Sequence, residues 1–248
     1  MNYLVGDIGN TLTKLSILDG KFRIKKLYTI ETKKIFENSF HKTVLKTINI
    51  KKISKNVLFS SVVPKVLRII KKKLQKKKYK VYEIKDLKIR KILKIKIKNY
   101  NQLGSDRISN AIGSLKYRNC LIIDFGTATT FDVIKNGIYV GGVISPGINQ
   151  SIINLNKSTA LLPLLNLKNT QKSYGKNTQE ALNAGFVWGY EGLINNIIKK
   201  ISTKAKIRFK IILTGGYAKL FKRYIRSSTV IDNNITIKGI AKTFKELI

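Results

Sequence analysis

Short apolar blocks, several of them with alternating polar residues, run through the first half of the chain. These blocks predict strands over 2–7, 13–30, 56–63 and 80–84, and the second of them turns at Asp19-Gly20 to make a hairpin. Apolar residues at helical spacing predict helices over 34–49, 65–78 and 105–117, with Pro64 at a first helical position. The first half therefore predicts a sheet with helices beside it.

A similar order of elements begins again at Cys120. Strands are predicted over 120–126, 129–145 and 209–216, with a turn at Asn136-Gly137, and helices over 148–156, 178–202 and 236–247. In each half a strand ends in Asp-x-Gly followed by Asn or Thr, and Asp7 and Asp124 are the matching carboxylates. We predict a duplicated α/β protein in which each domain, over 1–115 and 116–248, has a mixed sheet flanked by helices.

Three glycine-containing loops follow predicted strands. In the loop over 7–11, Gly9 permits a tight turn and a close approach to a ligand, successive N–H groups make a concave anion site, and Asp7 can hold a hydrated cation. The loop over 124–130 offers the same groups with more hydroxyls, and the one over 213–218 suits the adenosine end of a nucleotide. Each alone is typical of a simple turn, but together they indicate an ATP-dependent phosphotransferase.

Several other kinds of site are excluded by the residues present. The chain lacks the G-x-x-x-x-G-K-[ST] pattern of a P-loop and a dinucleotide G-x-G-x-x-G in the required context. The single histidine, His41, lies in a polar stretch that is unsuited to a Ser-His-Asp triad. The single cysteine, Cys120, lies inside an apolar strand and is interpreted as a core residue, and no Cys/His cluster indicates zinc.

The stretch Gly104 to Arg107 places an aspartate beside an arginine where a loop meets a predicted helix. Asp106 could accept the proton of an acceptor hydroxyl during phosphoryl transfer. Ser105 or Asp106 could equally serve only as the cap of the helix. The spacing alone leaves both interpretations open.

Composition limits the class of protein further. The 248 residues are 43% hydrophobic, and the chain shows neither a membrane-length apolar run nor a signal peptide, so we expect a soluble cytoplasmic protein. The net charge of +36 is concentrated elsewhere than around the glycine loops: residues 65–98 hold 16 Lys and Arg, whereas 119–163 hold two. We interpret the charge as compositional, with weak polyanion binding but no specific nucleic-acid site.

The motifs as a set resemble those of the type III pantothenate kinases. They occur in the family's order along essentially the whole chain, from Tyr3 to Ala241: DIGNT, SSVVP, LGSDR, DFGTATTFDVI, GGVISPGI, GKNTQEALNAGFVWGY and LTGGYA. The resemblance implies two ribonuclease-H-like domains of the actin and sugar kinase superfamily, with the active site in the cleft between them. It also implies phosphorylation of pantothenate by ATP, the first step of coenzyme A biosynthesis, by a homodimer.

The resemblance also implies roles for particular residues. The ATP phosphates would be bound by the first loop and Thr127, with Mg²⁺ near Asp7; the loop residues are Asp7, Ile8, Gly9, Asn10, Thr11, Leu12, Thr13 and Lys14. Asp124 would bind a monovalent cation, K⁺ or NH₄⁺. Pantothenate would be held near the subunit interface, with Asp106 as the proton acceptor, by Gly104, Ser105, Asp106, Arg107 and Thr178.

The sequence departs from the family's pattern at three positions near the pantothenate motif. Ile97 stands where the family commonly has Tyr, Tyr100 where it usually has Pro, and Ser105 where it usually has Ala. Two other functions are therefore kept as alternatives: a non-catalytic, nucleic-acid-associated regulator, and a kinase for another small hydroxyl substrate. The retained acidic residues and Arg107 favour the kinase over the regulator.

Overall fold

A computed structural model describes residues 1–36, 53–168 and 174–248 of the chain. Its strands are β1 (Asn2–Ile8), β2 (Leu12–Leu18), β3 (Ile24–Glu31), β4 (Ile53–Ser61), β5 (Lys80–Glu83), β6 (Lys94–Ile95), β7 (Cys120–Phe125), β8 (Ala128–Lys135), β9 (Ile138–Pro146), β10 (Lys210–Gly215) and β11 (Thr229–Ile231). Its helices are α1 (Thr32–Phe36), α2 (Pro64–Gln75), α3 (Ser105–Gly113), α4 (Ile148–Lys157), α5 (Thr178–Ala205), α6 (Ala218–Phe221) and α7 (Ile235–Leu247).

The described chain divides into two compact units. The first comprises Met1–Lys116, Gly137–Val140 and Asn234–Ile248, and the second comprises Tyr117–Asn136 and Gly141–Asn233. The last helix, α7, thus belongs to the first unit although it lies at the other end of the chain. The division of the chain into domains near residue 115 stays a prediction.

The first unit is built on a five-stranded sheet in the order β3-β2-β1-β4-β5. The three strands β3, β2 and β1 are antiparallel neighbours, whereas β1, β4 and β5 run parallel. Successive side chains of β1 point to opposite faces, so Leu4 packs in one cluster with Ile70 of α2 and Val5 packs in another with Ile240 of α7. Helices therefore cover both faces of this sheet.

The sheet of the second unit repeats this topology. Five of its strands follow the order β9-β8-β7-β10-β11, with β7 and β8 antiparallel and β7, β10 and β11 parallel, and the short strand β6 adds a sixth by pairing parallel to β9. Side chains of β7 and β10 pack with α4 and α5 in one core that includes Ile123, Leu213, Ile152 and Ile194. The predicted α/β fold with mixed sheets is confirmed, and the shared strand order supports the predicted duplication.

Helices α3 and α7 of the first unit cross at two glycines. Gly113 of α3 lies against the carbonyl oxygen of Ile235, and Gly239 of α7 lies against the carbonyl oxygen of Ser109. A buried hydrogen bond of 2.7 Å from Thr236 Oγ1 to Asn110 Oδ1 joins the same two helices. Because Gly113 and Gly239 have no side chains, the backbones of the two helices can approach each other closely here.

Several predicted element boundaries differ from the structure. The helix predicted over 65–78 ends at Gln75, and the one predicted over 105–117 ends at Gly113. The predictions did not include β6, β11 or α6, which are two, three and four residues long. Most of the helix predicted over 34–49, with His41, lies outside the described residues.

The basic stretch after Pro64 folds as predicted, as the solvent side of an amphipathic element. In α2 the apolar residues Val66, Ile70 and Leu74 are buried, whereas Lys65 and Lys72 are exposed. Throughout the described part of the chain, each helix is too short or too polar to cross a membrane.

Candidate active site

The turn between β1 and β2, together with the strand ends on either side of it, contains most of the predicted phosphate-binding residues. Asp7 is half-buried at the end of β1, and Asn10, Thr11 and Leu12 are exposed at the tip. The Gly9 N–H donates to the Leu12 carbonyl oxygen at 3.0 Å, which closes the turn. An added Cβ on Gly9 would lie 2.9 Å from that same oxygen, so the tight turn favours glycine here.

Thr32, the first residue of α1, fixes the shape of this turn. Its N–H donates to the Thr11 carbonyl oxygen at 2.9 Å and its hydroxyl donates to the Gly9 carbonyl oxygen at 2.7 Å. The Thr32 hydroxyl also lies 3.0 Å from the hydroxyl of Thr13, which is buried on β2. These bonds satisfy two carbonyl groups of the turn within the protein. Thr13 therefore supports the turn from its buried side, whereas Thr11 lies on its exposed side.

The end of β4 brings the β1–β2 turn and the GSDR motif together. The Val62 N–H donates to the Ile8 carbonyl oxygen at 3.0 Å. On the other side, the Gly104 Cα faces Val62, since an added Cβ would lie 3.7 Å from the Val62 Cγ1. Three motifs that are distant in sequence, those of Ile8, Val62 and Gly104, thus meet within the first unit.

Asp106 occupies the first turn of α3. Its Oδ1 accepts a hydrogen bond from the Arg107 N–H at 2.7 Å, and its side chain folds back over Gly104, the N-cap residue. Burial raises the pKa of Asp106, while the Arg107 N–H and the Arg107 charge oppose that rise. Asp106 is therefore a carboxyl group with a raised proton affinity that lies beside the positive charge of Arg107.

Ser105 and Glu83 form a pair that the sequence did not reveal. Ser105 is 2% exposed, and its hydroxyl donates to Glu83 Oε1 at 2.6 Å. Glu83 Oε2 accepts from the Lys85 N–H, also at 2.6 Å. Burial raises the pKa of Glu83, and these hydrogen bonds lower it in part. Ser105 is therefore bonded to a half-buried carboxyl group, and its side chain is not a cap of α3.

The glycine loops of the second unit meet at one end of its sheet. The Gly126 N–H donates to the Ala128 carbonyl oxygen at 3.1 Å, leaving Thr127 exposed at the tip of the β7–β8 turn. Gly147, which precedes α4, lies against the Thr127 carbonyl oxygen. Gly215 has a φ of +87°, and an added Cβ there would lie 2.5 Å from the Phe125 carbonyl oxygen. The DFGTATT, SPG and LTGG motifs therefore share one surface.

Asp124 occupies the position in β7 that Asp7 occupies in β1. Asp124 is half-buried, and its neighbours in the sheet register are Thr130 on β8 and Thr214 on β10. Asp7 has Lys14 on β2 and Ser60 on β4 as the corresponding neighbours. The two carboxylates thus share a place in the topology but differ in the side chains beside them.

Thr178 is exposed at the first position of the long helix α5. The preceding Asn177 caps the helix, accepting from the Glu180 N–H at 2.9 Å, and Glu180 Oε2 accepts from the Lys176 N–H at 3.0 Å. Thr178 also lines an apolar groove of about 580 Å³ that contains Leu182, Phe186 and Leu193. The GKNT motif therefore forms a firmly capped helix start at the edge of this groove.

The residues present suit a metal ion that arrives with a nucleotide. Among the described residues, no group of three or more His, Cys, Asp or Glu could hold a metal ion. Mg²⁺ is typically bound by one or two carboxylates together with substrate phosphates and water. Beside Asp7, the Ser60 hydroxyl is buried without a hydrogen-bond partner in the described structure, a further oxygen at this place. Asp7, a single carboxylate beside the turn predicted to bind phosphate, fits an ion whose other ligands come from the nucleotide and water.

Two solved structures with low sequence identity share the fold. One, from Campylobacter jejuni and assigned to the Baf family of transcriptional activators, has a TM-score of 0.64 and 21% identity over 98% of both chains. The other, an inorganic polyphosphate/ATP-glucomannokinase from Arthrobacter sp., has a TM-score of 0.53 and 14% identity, again over 98% of both chains. These likenesses concern the fold alone.

Sequence relatives identify the family. The profile of the type III pantothenate kinases matches residues 3–200. A type III pantothenate kinase of Pelagibacter ubique is 46% identical over 96% of this chain and 97% of its own, and one of Sulfurihydrogenibium sp. is 36% identical over the same shares. With the fold and the motif geometry described above, this match over nearly the full length shows that the chain belongs to the type III pantothenate kinase family.

Proposed function

We propose that this protein transfers the γ-phosphoryl group of ATP to the primary hydroxyl of pantothenate, giving ADP and 4′-phosphopantothenate. Membership of the type III pantothenate kinase family is the observation that carries this proposal. The retention of Asp7, Asp106, Arg107 and Asp124 favours it over a regulator without catalytic activity, since a pure binding module has no need of all four. The product would enter coenzyme A biosynthesis.

In this proposal Asp106 accepts the proton of the attacking hydroxyl. Its half-buried position and the burial that raises its pKa make the carboxylate a better proton acceptor than an exposed aspartate. The neighbouring Arg107 opposes the rise in the pKa of Asp106 and supplies positive charge for an anionic substrate group. Gly104 belongs to the segment that contacts pantothenate, and Ser105, 2% exposed, supports that segment through its hydrogen bond to Glu83.

The turn from Asp7 to Lys14 binds the ATP phosphates, and Thr127 contacts the nucleotide as well. Backbone N–H groups of the turn bind phosphate oxygens, and Asp7 holds the Mg²⁺ that neutralises their charge. In the second unit, Asp124 binds a monovalent cation, K⁺ or NH₄⁺. Its neighbours in the sheet, Thr130 and Thr214, provide oxygen atoms of the kind that bind such cations.

The protein is proposed to act as a homodimer with pantothenate near the subunit interface. Thr178 lines the groove on α5, and small residues along this helix, Ala181, Gly185 and Gly189, line it too. Added Cβ atoms at Gly185 and Gly189 would meet nothing within 4 Å, so this side of α5 is open. Another copy of the same helix is the occupant that we propose for it.

The proposal is tested by coupling ADP formation to an optical readout, with Mg²⁺ and ATP, with and without pantothenate. We expect turnover that requires pantothenate and is faster in K⁺ than in Na⁺. Turnover that is independent of pantothenate, or seen only with another hydroxyl compound, would contradict the assigned substrate. Equal rates in K⁺ and Na⁺ would contradict the role of Asp124 and leave the reaction itself intact.

A further inference from the structure

Glu83 lies at the end of β5 and connects three segments of the first unit. Its Oε1 accepts from the Ser105 hydroxyl at 2.6 Å, and its Oε2 accepts from the Lys85 N–H at 2.6 Å. The Ser61 backbone also hydrogen-bonds to this carboxyl group. One side chain thus holds together the end of β4, the turn after β5 and the first residue of α3.

The crossing with α7 holds α3 at Ser109, Asn110 and Gly113, four or more residues beyond Ser105. The N-cap residue of α3 is Gly104, which provides no side-chain cap. The chain leading from Glu83 to α3 consists of three short 3₁₀ turns and the two-residue strand β6. Because short elements bury little surface of their own, the hydrogen bond between the buried Ser105 and the half-buried Glu83 has a large share in placing this helix start.

We propose that Glu83 is a positioning residue for the kinase reaction, fixing the start of α3 through Ser105 and thereby the Asp106 carboxylate. This inference rests on the proposed function, in which Asp106 accepts the substrate proton. Glu83 itself takes no part in proton transfer in this scheme. A carboxylate displaced by about 1 Å can slow a reaction by up to about a hundredfold, so a secure position for Asp106 matters.

The proposal requires the hydrogen bonds of Glu83 and not its charge. A serine hydroxyl can donate or accept, so a glutamine at position 83 can donate to Ser105 while its oxygen accepts from the Lys85 N–H. Besides burial, the charge of Asp86 raises the pKa of Glu83, and the charge of Glu83 together with burial raises the pKa of Tyr100. Both protonation states of Glu83 can keep the bond to Ser105.

The test compares Glu83→Gln, Glu83→Ala and Ser105→Ala by steady-state kinetics with pantothenate and ATP. We expect Glu83→Ala to lower kcat by about tenfold or more, with the KM for ATP unchanged, and Glu83→Gln to stay within about twofold of wild type. Ser105→Ala should have an intermediate effect, and no further effect when added to Glu83→Ala. Ser114→Ala, which removes a buried 2.8 Å bond to the Ala111 carbonyl oxygen at the other end of α3, is the matched control.

Three results would overturn the inference: full activity of Glu83→Ala, equal loss in Glu83→Gln and Glu83→Ala, or additive effects of the changes at Glu83 and Ser105. A second measurement does not need turnover. Amide hydrogen exchange in the peptide over 103–112 should be faster in Glu83→Ala and unchanged in Glu83→Gln. If the wild type fails to phosphorylate pantothenate, the proposed function is wrong, and this exchange still decides whether Glu83 fixes the start of α3.

Discussion

Replacing Gly239 by alanine is expected to force α3 and α7 apart. An added Cβ would overlap the Ser109 carbonyl oxygen and lie 2.7 Å from the Ser109 carbonyl carbon and 3.0 Å from the Gly113 nitrogen. These are backbone atoms of a helix, so they cannot rotate away. To lengthen the 2.7 Å contact between the added Cβ and the Ser109 carbonyl carbon to the 3.4 Å of ordinary contact, the two helices must separate by at least 0.7 Å.

That separation determines the magnitude. The bond from Thr236 Oγ1 to Asn110 Oδ1, now 2.7 Å, would stretch out of the normal range, and both groups are buried. Two buried groups that lose their bond cost about 1–3 kcal/mol, and overpacking costs about 1–3 kcal/mol more. Alanine recovers about 0.5–1 kcal/mol of backbone entropy in a helix. The net loss of about 1–5 kcal/mol predicts a Tm lower by roughly 2–20 °C.

Thermal melting followed by circular dichroism measures this loss. The control is Lys72→Ala, because Lys72 lies within α2 with its side chain exposed. That control should melt close to the wild-type temperature, since alanine is a good helix former and no buried contact changes. A Gly239→Ala protein that melts within about a degree of wild type would refute the close crossing of α3 and α7.

Three further predictions concern the proposed proton acceptor, the proposed cation site and the proposed dimer. Asp106→Asn should lower kcat by about 10²–10⁴ while calorimetry still detects ATP binding. Because burial raises the pKa of Asp106, the contribution of this carboxyl group to stability is full below the ordinary aspartate pKa and is lost as pH rises through the pKa of the folded state. The variant should therefore melt above wild type at neutral pH. Asp124→Ala should abolish the rate difference between K⁺ and Na⁺, measured in the coupled assay. Gly185→Trp should fill the open side of α5 and give a monomer by light scattering, whereas an unchanged dimer would exclude this face.

Local patterns in the sequence predicted the elements whose causes are local. Asn136 and Gly137 have φ values of +53° and +74°, the left-handed conformation that makes Asn-Gly a hairpin turn. Pro64 begins α2, because its missing N–H is not needed there. Cys120 is fully buried on β7, in agreement with its interpretation as a core residue. Each of these depends on neighbours that are adjacent in the chain.

Features that depend on distant residues could not be predicted in this way. The hydroxyl of Ser105 meets a carboxylate 22 residues earlier in the chain, and the sequence shows only a small residue before Asp106. Similarly, α7 follows the second unit in the chain but packs on the sheet of the first, through residues such as Ile240. An amphipathic helical pattern reveals that a face is buried without revealing which sheet covers it.

The duplicated topology places one kind of residue at two corresponding sites, for which we propose different roles. Both first strands end in an aspartate before a glycine turn, so Asp7 and Asp124 lie at corresponding places in sheets of the same strand order. Their sheet neighbours differ: Asp7 lies between Lys14 and Ser60, whereas Asp124 lies between the threonines Thr130 and Thr214. A lysine beside the first turn favours the phosphates of a nucleotide, and hydroxyl oxygens around the second favour a weakly hydrated cation. We infer that the two halves diverged in function chiefly through the strands that flank each aspartate.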